Sequence, residues 1–549
     1  MSSLASSISQ PYQLKLKAPQ QHGETLVAPI DTAQAELKPS ELFTESALQG
    51  LRTDARKELL EIARQYTHQL MPESLRLEES AADKPLIVTG HQPELFHPGV
   101  WFKNFLAGEV AKRQNGMAIN LVIDSDRIKH PAVLLPGNVN QHFDKQVIAY
   151  DGSHFGSAWE SASVQQRSRF DAFPNRVIEA LRPHCSHQPL VKRLWEVIQQ
   201  TSMRNGCLSL SCLFTAGRMQ LERRAGLANL ELPMSRLTES KSFLRFLGSL
   251  LADARRFATN YNQSLNDYRL KHQLSSPERP VPNLEITAET IEMPFWSVQT
   301  QTGVRESLVL KSGHILTDTA NRFHLPLEPG ASIEAFLSSM ENLYQSQAIR
   351  IRTKALTTTL FTRLFFADLF VHGIGGSLYD EVTDELIVAH YGCSAPAFLA
   401  ATGTWHLPFS QELPELRGEE IPWGEQKHQM RWNPERIEDG LSHTAEMQSA
   451  INHKQQLIES HQGMLKQYGT HSAIPLSIRR EEYQQFSESR SQLLELTETR
   501  RLELHHQHEK AEQQERLLKM QRSREYSYCL FPETLPGQLA DAASEALSR

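Results

Sequence analysis

The stretch "TGHQPELFHPGVWFKN", residues 89–104, gathers side chains that handle anions and protons at one point of the chain. His91 and His97 can donate hydrogen bonds to phosphate or carboxylate oxygens, and Gln92, next to Gly90, can read an amide or hydroxyl. Lys103 can supply a point charge, while Pro98 and Gly99 stiffen the turn and start a helix. The alternative is structural, since a histidine in such a loop can simply satisfy backbone carbonyls. Two histidines, a glutamine and two acids further on, Asp124 and Asp126, favour a small-molecule site.

The flanking elements explain how those residues would be positioned. "PLIVTG" (85–90) is a short apolar run rich in β-branched residues, "GVWFKNFLAGEVAKRQNG" (99–116) is an amphipathic helix closed by Asn-Gly, and "AINLVIDSD" (118–126) is a second apolar run. Strand, helix and strand with both strands apolar throughout indicate a parallel βαβ unit covered on both faces. In such sheets ligands sit at the carboxyl ends of strands, where helix N-termini point outward. The quoted turn occupies that place, and Asp124 and Asp126, ending the next strand, fall on the same edge.

A second constellation is "HGIGGSLYDEVTDE", 372–385. The buried helix "TRLFFADLFV" is expected to run into His372, followed by a Gly-rich turn at 373–376 and an acidic helix start. Gly375 and Gly376 would let a ligand or backbone approach closely; the structural alternative is a glycine C-cap. Tyr379, Asp380 and Glu381 then suit the first turn of a helix by its dipole. His154, in "GSHFGSAWE" (152–160), is a further candidate contact on the same edge. "HCSH" (184–187) lacks a distant partner pair for a metal, and "HHQHE" (505–509) reads as a solvated helix face.

Composition narrows the classes. The chain has 549 residues, which exceeds what one core usually supports, and 40% hydrophobic residues give it sizeable cores. A net charge of −7 without a basic stretch argues against a nucleic-acid partner. Five cysteines scattered without CxxC indicate free thiols in a reducing cytosol. The N-terminus lacks a signal-peptide core and no long apolar run exists, so a soluble cytoplasmic chain without a membrane partner is expected. There is no GxGxxG and no GxxxxGK[ST], and His91 and His97 stand six apart rather than in the HxGH spacing of nucleotidyl transferases.

The remaining organisation follows from pattern changes. Residues 1–30 look like a poorly ordered lead-in, 40–70 carry helical spacing, and 170–200 and 215–273 read mainly as helices. "EITAETIEMPFWSVQ" and "RESLVLKSGHILTD" alternate like antiparallel strands with Ser-Gly as a turn. From 441 to 526 the chain is rich in Gln, Glu, Arg, Lys and Leu, with one short break at 468–475. That pattern predicts two long helices in an antiparallel hairpin, whose partner would be a second subunit.

"VTGHQPELF" resembles the "TGQQ-x-GLF-TGP" stretch of the bacillithiol-biosynthesis cysteine-adding enzyme family (BshC-like), with Thr89, Gly90, Gln92, Leu95 and Phe96 in register. The family's acidic "EDHD" is matched at Asp124 and Asp126 of "IDSD", and its "VGG/IGG" turn at Gly375–Gly376. His91 replaces the family's first Gln, His97 replaces its Thr, and its "LRP" appears here as "TLF". "HQP…P" also resembles the WbqC-like glycan-biosynthesis family over that stretch alone. The main resemblance implies a Rossmann-like core with connecting subdomains, a helical hairpin used for dimerisation, and a ligase-like role joining cysteine to a glucosaminyl-malate.

The expected protein is therefore an α/β chain with a Rossmann-like parallel-sheet core, an inserted subdomain and a C-terminal antiparallel α-helical coiled-coil hairpin. Its expected divisions are an N-terminal segment (1–80), core (81–230), inserted subdomain (231–348), core (349–440), hairpin (441–526) and a tail (527–549) packing on the core. The expected activity is condensation of a small amino acid with a polar sugar- or carboxylate-bearing substrate by a homodimer. His91 and His97 would stabilise developing negative charge, and Asp124 or Asp126 would act as base. Gly90, Gln92, Lys103, His154, His372, Gly375, Gly376, Tyr379 and Asp380 would bind substrate or nucleotide. If ATP is used, Mg²⁺ held by the acids would accompany it. The alternative is a non-catalytic scaffold that engages a partner through the hairpin.

Overall fold

The computed structural model describes residues 17–28, 46–72, 82–137, 145–276 without 153 and 155, 278–410, 423–437 and 444–548. Two compact units divide the chain: one of residues 1–136, 145–410 and 523–549, the other of 137–144 and 411–522.

The first unit is mixed α/β. It opens with β1 (Thr25–Ala28), α1 (Ser46–Leu70), β2 (Leu86–His91), α2 (Pro98–Arg113) and β3 (Met117–Val122). The antiparallel pair β4 (Ala132–Pro136) and β5 (Lys145–Ala149) leads to α3 (Arg167–Leu181), α4 (Val191–Asn205) and α5 (Leu210–Arg224). Then come β6 (Leu230–Pro233), α6 (Met234–Leu237), α7 (Lys241–Ala252) and α8 (Ala254–Lys271). Strands β7 (Thr290–Gln299), β8 (Arg305–Lys311), β9 (Ile315–Asp318) and β10 (His324–Pro326) precede α9 (Ile333–Ser346) and β11 (Ile349–Thr353). The series closes with α10 (Ala355–Phe365), β12 (Leu369–His372), α11 (Ile374–Tyr391), β13 (Ala397–Gly403) and, after the second unit, a helix at Leu535–Ala546.

Six strands form the main sheet in the order β1-β13-β12-β2-β3-β6. The last five run parallel, and β1 joins antiparallel at one edge. The run "LIVT" of β2 is buried, as the lack of polar alternation along it requires of a strand covered on both faces. Trp101, Phe102, Phe105 and Leu106 bury α2 against that sheet. Buried polar groups fix the two elements. The Asp368 carboxylate accepts from Arg52 and Arg56 of α1 at 2.7 and 2.9 Å and from the Leu86 N–H at 2.8 Å, which sets the start of β2. Glu222 accepts from Trp101 Nε1 and Asn104 Nδ2, each at 2.7 Å, and is paired with Arg218, which also reaches Glu231 of β6. At Gly99 a Cβ would run into the Gly403 carbonyl, so only glycine lets the first turn of α2 approach the end of β13.

Several boundaries differ from the sequence reading. Residues 25–28, placed in a lead-in, form the edge strand β1 of the main sheet. Strand β6 carries that sheet past residue 230, while β11, assigned to the core, pairs with β7 in a separate antiparallel sheet of order β10-β9-β8-β7-β11. "TRLFFADLFV" is not one helix, because the N–H groups of Phe366 and Ala367 both turn onto Thr362 O and end α10 before β12 begins. An apolar run of that length fits either element by periodicity. The Ser-Gly turn joins β8 and β9 as expected from two residues of positive φ, Ser312 at 50° and Gly313 at 74°. Residues 1–16, 29–45 and 73–80 of the expected N-terminal segment lie outside the described residues, as does residue 81 of the expected core.

The second unit is helical: α12 (Trp423–Trp432), α13 (Ala445–Tyr468), α14 (Leu476–Leu496) and α15 (Glu498–Gln521). Met447 and Ala450 of α13 pack on Leu493 of α14, and His461 meets Glu482 at 3.1 Å, so the two helices run antiparallel. The second arm is broken once more, at Thr497, whose hydroxyl takes the Leu493 carbonyl at 2.7 Å while Arg501 takes that of Leu494 at 3.1 Å. Trp423 stacks on His508 at 3.7 Å, so part of the "HHQHE" face is covered rather than solvated.

Candidate active site

From β2 the chain moves to β3 and on to β6, whereas β12 and β13 continue the sheet on the other side. The connections leaving the carboxyl ends of the neighbouring strands β2 and β12 therefore diverge, and the crevice between them is where open α/β sheets take ligands. His91 ends β2 and Gln92 follows it, His97 caps α2, His372 ends β12, and Gly373 to Gly376 open α11. The two loops singled out in sequence are thus brought together.

Lys103 lies between them. Its Nζ donates to the Gly90 carbonyl at 2.8 Å, and its stem sits 3.9 Å from where a Cβ on Gly373 would stand. The side chain is buried, at 4% exposure, and no carboxylate pairs with it among the described residues. Burial alone pushes its ammonium down to about 8. An ammonium has three donors, and one carbonyl satisfies only one of them.

The histidines around it are electrically neutral at physiological pH. Burial, then the charge of Lys103, pushes His91 down to about 3, and burial with Arg524 and Lys103 does the same to His97. Their tautomers follow from their partners. His91 Nδ1 lies 3.1 Å from the Gln92 carbonyl, so the proton is on Nδ1 and Nε2 keeps a lone pair. His97 Nδ1 accepts from the Gly99 N–H at 3.1 Å, which leaves the proton on Nε2. One ring presents an acceptor and the other a donor.

His372 is committed to the fold. Its Nε2 meets Asp380 at 2.5 Å, and Arg363 binds the same carboxyl oxygen at 3.0 Å. Burial would push Asp380 up, but His372 and Arg363 outweigh it and hold the carboxyl below its ordinary range. Asp380 and Tyr379 are not first-turn residues, because α11 already begins at Ile374; Tyr379 is exposed. Gly376 packs so closely on His372 Nδ1 that a Cβ would stand 2.8 Å away, whereas Gly375 is open. The N-cap, Gly373, offers no side chain to the first N–H groups of α11.

The acids part ways. Asp126 accepts from Gln92 Nε2 at 2.8 Å and from Arg305 at 3.1 Å. Asp124 is turned toward α6, accepting from the Ser235 N–H at 2.9 Å and hydroxyl at 2.6 Å. Burial, reinforced by the Glu160 charge, pushes Asp124 up to about 7. No three metal-capable side chains cluster among the described residues, and with each acid engaged elsewhere the pair does not form the Mg²⁺ site expected of it. His154 is buried against Asp151 at 2.8 Å, and Asp151 also takes two backbone N–H groups; this is a loop clasp rather than a ligand contact.

Arg524 escaped the sequence reading. It donates to Thr402 at 3.0 Å, flanks Gly99, and has a buried Nε with no hydrogen-bond partner, 3.9 Å from the Glu525 carboxylate. The aromatic "YSYCLF" that follows it was the available signal: Tyr528 N–H bonds the Phe96 carbonyl at 2.8 Å and its ring lies 4.4 Å from Trp101. A cavity of about 570 Å³ opens at the opposite, amino edge of the sheet, between Gly108, Met117 and Leu230. It holds none of the candidate residues.

The chain matches no protein-family model and no curated protein sequence. Among the described residues, no helix is long and apolar enough to cross a membrane.

Proposed function

We propose that this chain is an α/β enzyme of Rossmann-like architecture whose crevice between β2 and β12 binds the phosphate or carboxylate of a small polar substrate. The observation that carries this reading is Lys103, a buried ammonium without a carboxylate at the strand ends. Ranked by chain order, the parallel strands from β6 to β13 read 3-2-1-4-5, which supports the Rossmann-like description. Lys103 and the open N-terminus of α11 would hold the anion, and His97 Nε2–H would donate to it. His91 Nε2 would take the proton of an incoming nucleophile, because a bound anion offsets the Lys103 charge that adds to burial in keeping the ring neutral. Gln92, steadied by Asp126, would read a polar group.

The likeness to the cysteine-adding family supports a condensation in which an amino acid, cysteine in that family, is joined to the bound substrate. ATP, as activating cofactor, would set its phosphates against the same ammonium. The reading extends to a cytoplasmic homodimer through α13 to α15 as a coiled-coil hairpin; Leu476, Tyr483 and Leu502 are exposed by 55, 78 and 63%. Light scattering at micromolar concentration should give twice the chain mass, and a monomer would contradict the dimer.

A thermal-shift series with phosphate, malate, cysteine and ATP on the wild type and Lys103→Met tests the site. At a hundredfold excess over Kd an anion should stabilise the wild type by about 2.7 kcal/mol. The variant, binding at least about tenfold more weakly, should show at most about half of that gain. Equal shifts in both proteins would place the anion elsewhere and sink the reading.

A further inference from the structure

The helical unit contains a cavity of about 530 Å³ between α12 and the joint of α14 with α15. Lys427, His428 and Arg431 line it from α12, and Arg490, Arg501 and His505 from the other two helices. None of its lining residues among those described is acidic. Its volume falls within the roughly 300–1,000 Å³ of small-molecule sites.

The cations are held by contacts that leave their donors available. Arg431 and Arg490 lie over the Trp432 ring at 5.1 and 4.9 Å, and Lys427 lies 6.0 Å from the Trp423 ring. A guanidinium stacked on an indole keeps its edge N–H groups free for paired oxygens. Arg490 Nε is buried without a hydrogen-bond partner, and no carboxylate among the described residues pairs with this head. Arg501 is steadied by the Leu494 carbonyl at 3.1 Å. Elsewhere in the unit cations do find acids, as Lys454 does with Glu435 at 2.7 Å. Four permanent positive charges around one cavity, with no acidic lining residue among those described, call for a ligand carrying several closely spaced anionic oxygens.

We propose that this cavity is a second ligand site, distinct from the β2–β12 crevice, that binds a small oligophosphate through Lys427, Arg431, Arg490 and Arg501. The phosphate chain would bridge the stacked guanidiniums, with Trp432 as the surface that orients them.

Calorimetric titration with inorganic tripolyphosphate tests this, using full-length protein that carries Lys103→Met so that the crevice does not contribute. Saturable binding that weakens steadily with added salt is expected. Arg490→Gln should weaken it about tenfold and Arg431→Gln/Arg490→Gln by more, with unchanged helical circular dichroism, since neither side chain makes an ion pair among the described residues. Absence of binding at low salt would overturn the proposal, as would equal affinity in the double variant. Orthophosphate binding as tightly as tripolyphosphate would overturn the multi-phosphate assignment. Tighter binding of a single-stranded oligonucleotide would assign the surface to a nucleic-acid backbone instead.

Discussion

In the α/β unit buried cations are enclosed in ion networks, whereas the helical unit leaves most of its cations in contact with water. Arg363 meets Asp380 with both side chains 1% exposed, and Arg218 meets Glu222 and Glu231 with exposures of 8% or less. Along α15 the pairs are i,i+3 and i,i+4 contacts in solvent, such as Arg516 with Glu512 at 37% and 48% exposure. The difference teaches how to weigh an unpaired cation. Amid networks that neutralise each buried charge, Lys103 is an exception that a ligand would resolve; in solvent, lack of a partner means less, and only convergence on a cavity gives it weight.

The comparison can be broken at its strongest point. Arg363→Met leaves Asp380 buried with one partner fewer, and denaturant unfolding should show a loss of about 3–5 kcal/mol. A loss under about 1 kcal/mol would mean that the network is wetter than it looks.

Lys103→Met should act in the opposite sense on stability, since it removes a charge that burial disfavours. The pH dependence fixes the sign. Folding pushes this ammonium from 10.5 down to about 8, so between those values the unfolded chain holds a proton that the folded chain lacks. Wild-type stability should therefore rise with pH across that window, and the variant should lack the rise. Anion affinity should do the reverse, falling as Lys103 loses its charge. A flat stability profile shared by both proteins would remove the buried-charge argument.

His97→Ala removes the acceptor for the Gly99 N–H and should cost about 1 kcal/mol in unfolding experiments. Glu512→Gln in the helical unit should change stability by no more than about 0.5 kcal/mol, and a larger effect would erase the contrast between the units.

The sequence carried the βαβ unit around residues 85–126 because an all-apolar strand, a helix with proline at its start and a second apolar run leave few alternatives. It also placed His91, His97 and Lys103 at one edge, since parallel topology puts such turns at strand ends, whereas the loop at 372–376, read as following a helix, reaches that edge only because β12 is a strand. What it missed depends on contacts distant in the chain. Strand β1 is four residues long and is held by pairing with β13, nearly four hundred positions away, so local pattern gave no hint of it. Asp124 and Asp126 stand two apart and looked equivalent, but Ser235 turns one inward and Gln92 with Arg305 holds the other. Arg524 reaches the crevice only because the tail folds back on Phe96 and Trp101. The role of His372 also changed: Asp380, two turns along α11, claims its ring for the fold.

The most direct test is calorimetric titration of the wild type and of Lys103→Met with malate and with phosphate, at pH values below and above about 8. The account predicts binding by the wild type that weakens above that pH, and at least about tenfold weaker binding by the variant throughout. Binding of equal strength in both proteins, with no change across the titration of Lys103, would contradict it.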